Sequence, residues 1–306
     1  MQTDDIPEVP KVPEDILQRA REGKLCFFLG SGLSKLLGCK GWKDLSNNLT
    51  EMCFERNYIN FRQKESIMAI NEPKKIITIC RNIFRDNHHE NDFYKQIKKC
   101  LKTNKAYETQ NIYKVLSELF GIIPALYLTT NIDRNFDSTF PGSVLFTEKD
   151  FSPNNILPDR LYKIHGTIEH PNTTILTVQD YLDRYRKGEF HAFLAAIFSE
   201  YSIIFLGYGL EEFEILDFLV TTMDRKQMEP KHCILLPYYK EEKYLQAFDA
   251  DYFKPLGIKV VGYKKDVTGY AQLYTVIKKW KKELIGLTDM QYEAIKDMEE
   301  MVDKLE

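Results

Sequence analysis

No two of the six cysteines stand as a Cys-x-x-Cys pair; they are scattered at positions 26, 39, 53, 80, 100 and 233. That spacing argues against a structural zinc site and for free thiols in a reducing compartment, the cytoplasm. Charge of one sign is also lacking. Lys and Arg number 42 against 45 Asp and Glu, a formal net charge of -3, so no global basic field recommends nucleic acid as a partner. No apolar run is long enough to span a bilayer. Residues 1–13 are acidic and contain three prolines, unlike a secretory leader, and read as a flexible arm. No internal repeat is apparent. Neither Gly-x-Gly-x-x-Gly nor the P-loop pattern occurs.

What is present is a short apolar run that ends in glycine. Leu25–Leu29 (Leu-Cys-Phe-Phe-Leu) reads as a strand buried on both faces, as at the centre of a parallel sheet. Gly30-Ser31-Gly32-Leu33-Ser34 follows at once. Glycine permits a sharp turn and a close approach of ligand to backbone. With a helix starting there, such a corner directs N–H groups and the helix dipole at one spot, suited to phosphate.

Further along, 306 residues with 43% hydrophobic and 28% charged content accommodate one large or two modest globular domains. A helix is expected over Pro13–Glu22. Residues from Asp44 to about Phe120 are mainly helical in pattern, with apolar sets such as Ile76, Ile77, Cys80 and Phe84 at helix spacing. Buried strands are expected over Ile122–Thr130, Leu161–Ile164, Ser202–Leu206, Cys233–Leu236 and Ile258–Val261, with a brief one at Val144-Leu145. Helices are expected over Gln179–Glu200, Glu214–Met223, Tyr270–Leu284 and Thr288–Glu306. The alternation predicts an α/β fold: a Rossmann-like doubly wound, mostly parallel sheet with a helical layer inserted at about 44–120. The domain proper is expected to span 14–286. The tail 287–306 carries Ile295, Met298, Val302 and Leu305 as a narrow apolar stripe, fit for its own domain or for an oligomer or partner contact.

Several strands end in small or polar residues: Gly30-Ser31-Gly32, Thr129-Thr130-Asn131-Ile132-Asp133, His165-Gly166 and Gly207-Tyr208-Gly209. In a doubly wound sheet such ends converge on one rim, where ligands bind. Taken singly, each residue has a plainer reading. Asn131, Ser31 and Ser34 suit helix caps, His165 and Tyr208 suit the core, and Trp42 suits a seal beneath its loop. His88 and His89 are adjacent, so they do not share a helix face and make no metal site.

In order and character the four strand ends resemble the sirtuin superfamily over roughly residues 20–220. The resemblance implies that Gly30, Ser31, Gly32 and Ser34 hold the pyrophosphate of NAD+. It implies that Thr130, Asn131 and Asp133 face the ribose and nicotinamide, with His165 as catalytic base, and that Gly207, Tyr208, Gly209 and Glu212 lie toward the adenosine; Trp42, if not a seal for the core, is placed to cover the ligand. The chain departs from the protein deacylases of that family. Gly38–Leu45 lacks their Pro-Asp-Phe-Arg, and only Cys233 lies beyond His165 where they carry four zinc cysteines. The pattern Gly38-x-x-x-Trp42-x-x-Leu45, with Asp180-Tyr181 beyond the His-Gly, is similar instead to sirtuin-like domains of bacterial antiphage defence. The function this implies is hydrolysis of NAD+ as substrate, depleting it when infection is sensed. The cysteine pattern adds a cytoplasmic protein without zinc and the apolar tail a homo-oligomer, while the resemblance offers, as one option, a partner such as a HerA-type ATPase or another sensor protein. Two alternatives remain open at this point: a silent NAD+ or ADP-ribose sensor subunit, and an NAD-dependent deacylase.

The residue chemistry fits cleavage. Nicotinamide leaves as a neutral molecule from an oxocarbenium-like transition state, so the site needs only to orient the ribose, shield the cation and place one water. Asn131 has the donors and acceptor to hold a hydroxyl or that water. His165 titrates near neutrality, and Asp133 can accept from the nicotinamide carboxamide.

Overall fold

Three strands of five residues, each buried throughout, form the middle of the sheet: β1 (Leu25–Leu29), β2 (Ala125–Thr129) and β5 (Ser202–Leu206). With β3 (Ser143–Leu145), β4 (Arg160–Lys163), β6 (His232–Tyr238) and β7 (Ile258–Lys264) they make a seven-stranded sheet in the order β3-β4-β2-β1-β5-β6-β7. Every neighbouring pair runs parallel. The computed structural model describes residues 5–209, 218–219 and 230–286. The expectations placed on Glu212, on most of the helix over 214–223 and on the helix over 287–306 lie outside the described residues.

Strand periodicity sends alternate side chains to opposite faces. Phe27, Leu29 and Tyr127 join one core with Ile16 and Ala20 of α1 (Glu14–Arg21), Ile112 and Leu116 of α7 (Ile112–Ser117), and Val276 and Trp280 of the helix at 272–286. Cys26, Phe28, Leu126 and Leu128 join the other with Phe190, Phe193 and Ile197 of α9 (Gly188–Glu200). The sheet is thus covered on both faces, as continuous apolar strands require.

The helical insertion is present as α3 (Trp42–Glu55), α4 (Phe61–Met68), α5 (Pro73–Asp86) and α6 (Glu90–Cys100), after a short α2 (Ser31–Leu36). Its own core, including Leu49, Ile77, Cys80, Phe84 and Ile97, also takes in Ile132, Ile168 and Leu176 from loops that follow β2 and β4. Those loop residues hold the layer at the carboxyl ends of the strands. Each large apolar side chain so buried stabilises by about 1.5–3 kcal/mol.

Four details differ from expectation. The arm is not loose where described. Ile6 and Val12 are buried, the Trp280 indole N–H donates to the Pro10 carbonyl at 2.9 Å and the Lys264 amide to that of Pro7 at 2.9 Å. The second strand begins at Ala125, because the Ile122 and Ile123 amides close the preceding helix on the Leu119 carbonyl and Pro124 has no N–H. The helix expected over Gln179–Glu200 is two: α8 (Val178–Tyr185), opened by a Thr177–Asp180 capping box, and α9, parted where Lys187 is extended before Gly188. An unexpected helix spans Lys243–Phe253, with Tyr244, Phe248 and Tyr252 exposed on one face.

Candidate active site

The strand order reverses at β1, whose neighbours are β2 on one side and β5 on the other. Open α/β sheets bind ligands at the carboxyl ends of strands beside such a switch. A cavity of about 690 Å³ lies there, within the range of small-molecule and cofactor sites. Of the residues singled out from sequence, Ser31, Ser34, Trp42, Thr130, Asn131, Asp133, Gly207, Tyr208 and Gly209 line it. Gly30, Gly32 and His165 do not.

The glycine corner serves packing first. The Gly30 amide donates to the Leu206 carbonyl at 2.8 Å and the Gly32 amide to the Gly207 carbonyl at 2.8 Å. A Cβ on Gly30 or Gly32 would fall 2.4 or 2.7 Å from the Gly207 oxygen, and one on Gly207, at φ +60°, 2.7 Å from the Leu33 nitrogen. These amides are therefore spent on locking the loops after β1 and β5 together. That corrects the expectation that Gly30 and Gly32 offer free N–H groups to phosphate; Ser31 and Ser34 are the corner residues that reach the cavity.

Asn131 is fixed by its own amide. Nδ2 donates to the Gly30 carbonyl at 2.9 Å and to the Tyr113 hydroxyl at 3.1 Å. A carbonyl only accepts, so the nitrogen must face it, and Oδ1 is the atom left for a ligand. The chain continues inward. Tyr113 and Ser34 hydroxyls lie 2.7 Å apart, and Ser34 donates to Asp133 Oδ2 at 2.7 Å. Burial holds the Tyr113 phenol well above its ordinary pKa, so it stays protonated and donates to Ser34. Asp133 Oδ1 accepts from the Asn135 amide at 2.9 Å, and its carbonyl accepts from Lys163, a buried lysine held by Asp137 at 2.8 Å. Burial raises the Asp133 pKa, with Lys163 opposing. Ser34 and Asp133 thus brace Asn131 from behind while forming part of the wall.

His165 is fully buried, correcting the expectation of a rim residue. Burial first, then the charges of Lys74 and Arg184, hold its pKa well below the ordinary value. Its Nε2 lies 2.9 Å from the Tyr185 hydroxyl, and its Nδ1 has no partner among the described residues. Tyr181 meets its ring edge-on at 5.1 Å. Both tyrosines line the cavity, so they stand between His165 and any ligand. Gly166, at φ +73°, lets the chain turn against the Thr173 carbonyl, which a Cβ would meet at 2.1 Å.

Trp42 and Tyr208 hold both roles weighed for them. Trp42 opens α3, packs on the helical-layer core and lines the cavity; Tyr208 is buried against Phe28 at 4.8 Å and lines it too. Sequence reasoning missed Lys40, Lys74, Tyr185 and Arg186, all in the cavity wall. The Tyr181–Tyr185 spacing of four on a helix was the signal for the aromatic pair. Asp180 is structural: it caps α8 and pairs with Arg81 of α5 at 2.8 Å.

Residues 125–260 match the model of the SIR2-like domain family. The chain is similar to an NAD(+) hydrolase ThsA of Bacillus cereus (strain MSX-D12), 23% identical over 261 residues, which covers 80% of this chain and 49% of that protein. It is also similar to an NAD(+) hydrolase ThsA of Acinetobacter baumannii (strain 532279), 23% identical over 209 residues, covering 64% of this chain and 39% of that protein. The chain therefore spans about half, or less, of the length of these relatives.

Proposed function

We propose that this chain, which carries a SIR2-like domain, is an NAD+ glycohydrolase that cleaves NAD+ to nicotinamide and ADP-ribose. The observation that carries the reading is Asn131, anchored through both amide protons at the switch-point cavity so that Oδ1 alone meets a ligand. Oδ1 accepts from a ribose hydroxyl or from the attacking water, and holds it beside C1′. The cationic side chains Lys40, Lys74 and Arg186 of the cavity wall suit the pyrophosphate. Trp42, Tyr181 and Tyr208 supply apolar surface that excludes bulk water around the oxocarbenium-like transition state.

In the cell this reading makes the protein a cytoplasmic, antiviral NAD+-depleting enzyme without structural zinc. It acts as a homo-oligomer, alone or with a HerA-type ATPase or other sensor protein. Among the described residues no helix is long and apolar enough to cross a membrane.

The burial of His165 favours a second reading, in which the site binds NAD+ or ADP-ribose without cleaving it and serves as a sensor. Incubating the pure chain with NAD+ and separating the products by mass spectrometry distinguishes the two. Nicotinamide and ADP-ribose in equal amounts, lost in Asn131→Ala, support the hydrolase. Binding with NAD+ left intact supports the sensor.

A further inference from the structure

His165 has no face on the cavity, yet the one polar contact of its ring among the described residues leads there. The Tyr185 hydroxyl sits 2.9 Å from Nε2, and Tyr185 is itself part of the cavity wall. We propose that Tyr185 is the proton relay between the attacking water and His165. The proposal rests on the NAD+ hydrolase reading of the same cavity.

The alternative, that α8 swings away to bare His165, is opposed by how α8 is tied. Arg81 grips both Asp180 oxygens, at 2.8 and 3.0 Å, and is itself held by Glu90 at 2.9 Å. The Val178 amide donates to Thr78 of α5 at 3.2 Å. At the other end Arg184 reaches under His165 to the Ile164 carbonyl at 3.1 Å. Tyr181 stacks on Tyr185 with ring centroids 5.8 Å apart. A helix held at both ends keeps His165 enclosed, and the phenol is the path left to it.

The oxygen of water forms a bond to C1′ as the bond from C1′ to nicotinamide breaks, its electron pair staying on the ring nitrogen and neutralising the pyridinium. A proton of that water passes to the Tyr185 oxygen while the Tyr185 proton passes to Nε2 of His165. The tautomer required carries its proton on Nδ1, and the resulting imidazolium later returns one proton to solvent by the same path. The groups facing His165 are Lys74 from α5 and Tyr181, Arg184 and Tyr185 from α8. Burial first, and then both cations, oppose protonation of His165. A bound pyrophosphate beside Lys74 offsets one of the two cations, so the base gains strength when substrate is present.

The test compares the wild-type chain with Tyr185→Phe, His165→Ala and the double variant in steady-state NAD+ cleavage. Tyr185→Phe is expected to lower kcat by about 100-fold or more while KM stays within about threefold, and the double variant to be no slower than His165→Ala alone. Fluorinated tyrosine at 185, a more acidic phenol that keeps the hydroxyl, is expected to shift the pH profile of kcat, and it serves if Tyr185→Phe fails to fold. Wild-type kcat in Tyr185→Phe, multiplying losses in the double variant, or an unmoved pH profile overturns the relay alone. A wild type that leaves NAD+ intact overturns the proposed function and the relay together.

Discussion

The side-chain nitrogen of Asn131 lies 2.9 Å from the carbonyl oxygen of Gly30, two residues that stand at the ends of adjacent parallel strands and 101 positions apart in the chain. That bond joins the two strand ends and orients the amide at once. An aspartate at 131 is nearly isosteric but has no proton to give. It would turn a second acceptor toward the Gly30 carbonyl and strand the Tyr113 hydroxyl. Asn131→Asp is expected to lose NAD+ cleavage and to lower stability by about 1–3 kcal/mol, read by denaturant unfolding. Unchanged stability would mean that Asn131 is not held as described.

The lock between the β1 and β5 loops makes a prediction about glycines. Gly207→Ala combines a left-handed backbone with a Cβ 2.7 Å from the Leu33 nitrogen and is expected to cost more than about 1 kcal/mol, with loss of NAD+ binding by calorimetry. Gly188→Ala is the control. It opens α9 and its Cβ meets nothing within 4 Å, so it should be neutral or stabilise by up to about 1 kcal/mol.

Buried histidines set the acid side of stability. Burial lowers the pKa of His165 and brings that of His232 down to about 3, where Nδ1 accepts from the Ile203 amide. In the unfolded chain both titrate normally. Below the ordinary histidine pKa the unfolded state therefore binds protons that the folded state refuses, and stability falls as pH falls. Asp133, its pKa raised, has the opposite sign and acts above the ordinary carboxylate range. Between about pH 7 and about pH 5.5 each histidine is expected to cost about 1.3 kcal/mol. In His165→Gln the loss over that interval should shrink by one such share. An equal loss in the variant would show that His165 is not buried neutral.

The tie between α5 and α8 predicts a remote effect on the site. Asp180→Ala removes both the cap of α8 and the partner of Arg81; the pair is partly exposed and its share is correspondingly small. Stability should drop by about 1–2 kcal/mol, and kcat should fall with it because Tyr185 loses its placement. Wild-type kcat in a destabilised variant would detach α8 from the chemistry.

The central strands were legible because Leu25–Leu29 is apolar throughout and Ser202–Leu206 is so after its first residue, a pattern that suits a sheet covered on both faces. The polar strand ends were legible for the same reason, since they break that pattern abruptly. The burial of His165 was legible only as the plainer of two readings, a core histidine against a base on the rim. It depends on Tyr181 and Tyr185, which lie 16 and 20 positions later on a helix whose placement is set by Arg81, from another layer altogether. The use of the Gly30 and Gly32 amides was hidden likewise, because their acceptors lie on β5 and the loop after it. The helix Lys243–Phe253 escaped notice because its aromatic residues Tyr244, Phe248 and Tyr252 face outward, against the usual rule of burial.

The most direct test of the account is the fate of NAD+ with the pure protein, followed by mass spectrometry beside the Asn131→Ala variant and matched circular dichroism. The account predicts nicotinamide and ADP-ribose in equal amounts from the wild type and intact NAD+ from the folded variant. Intact NAD+ from a wild type shown by calorimetry to bind it, or equal cleavage by the variant, would contradict it.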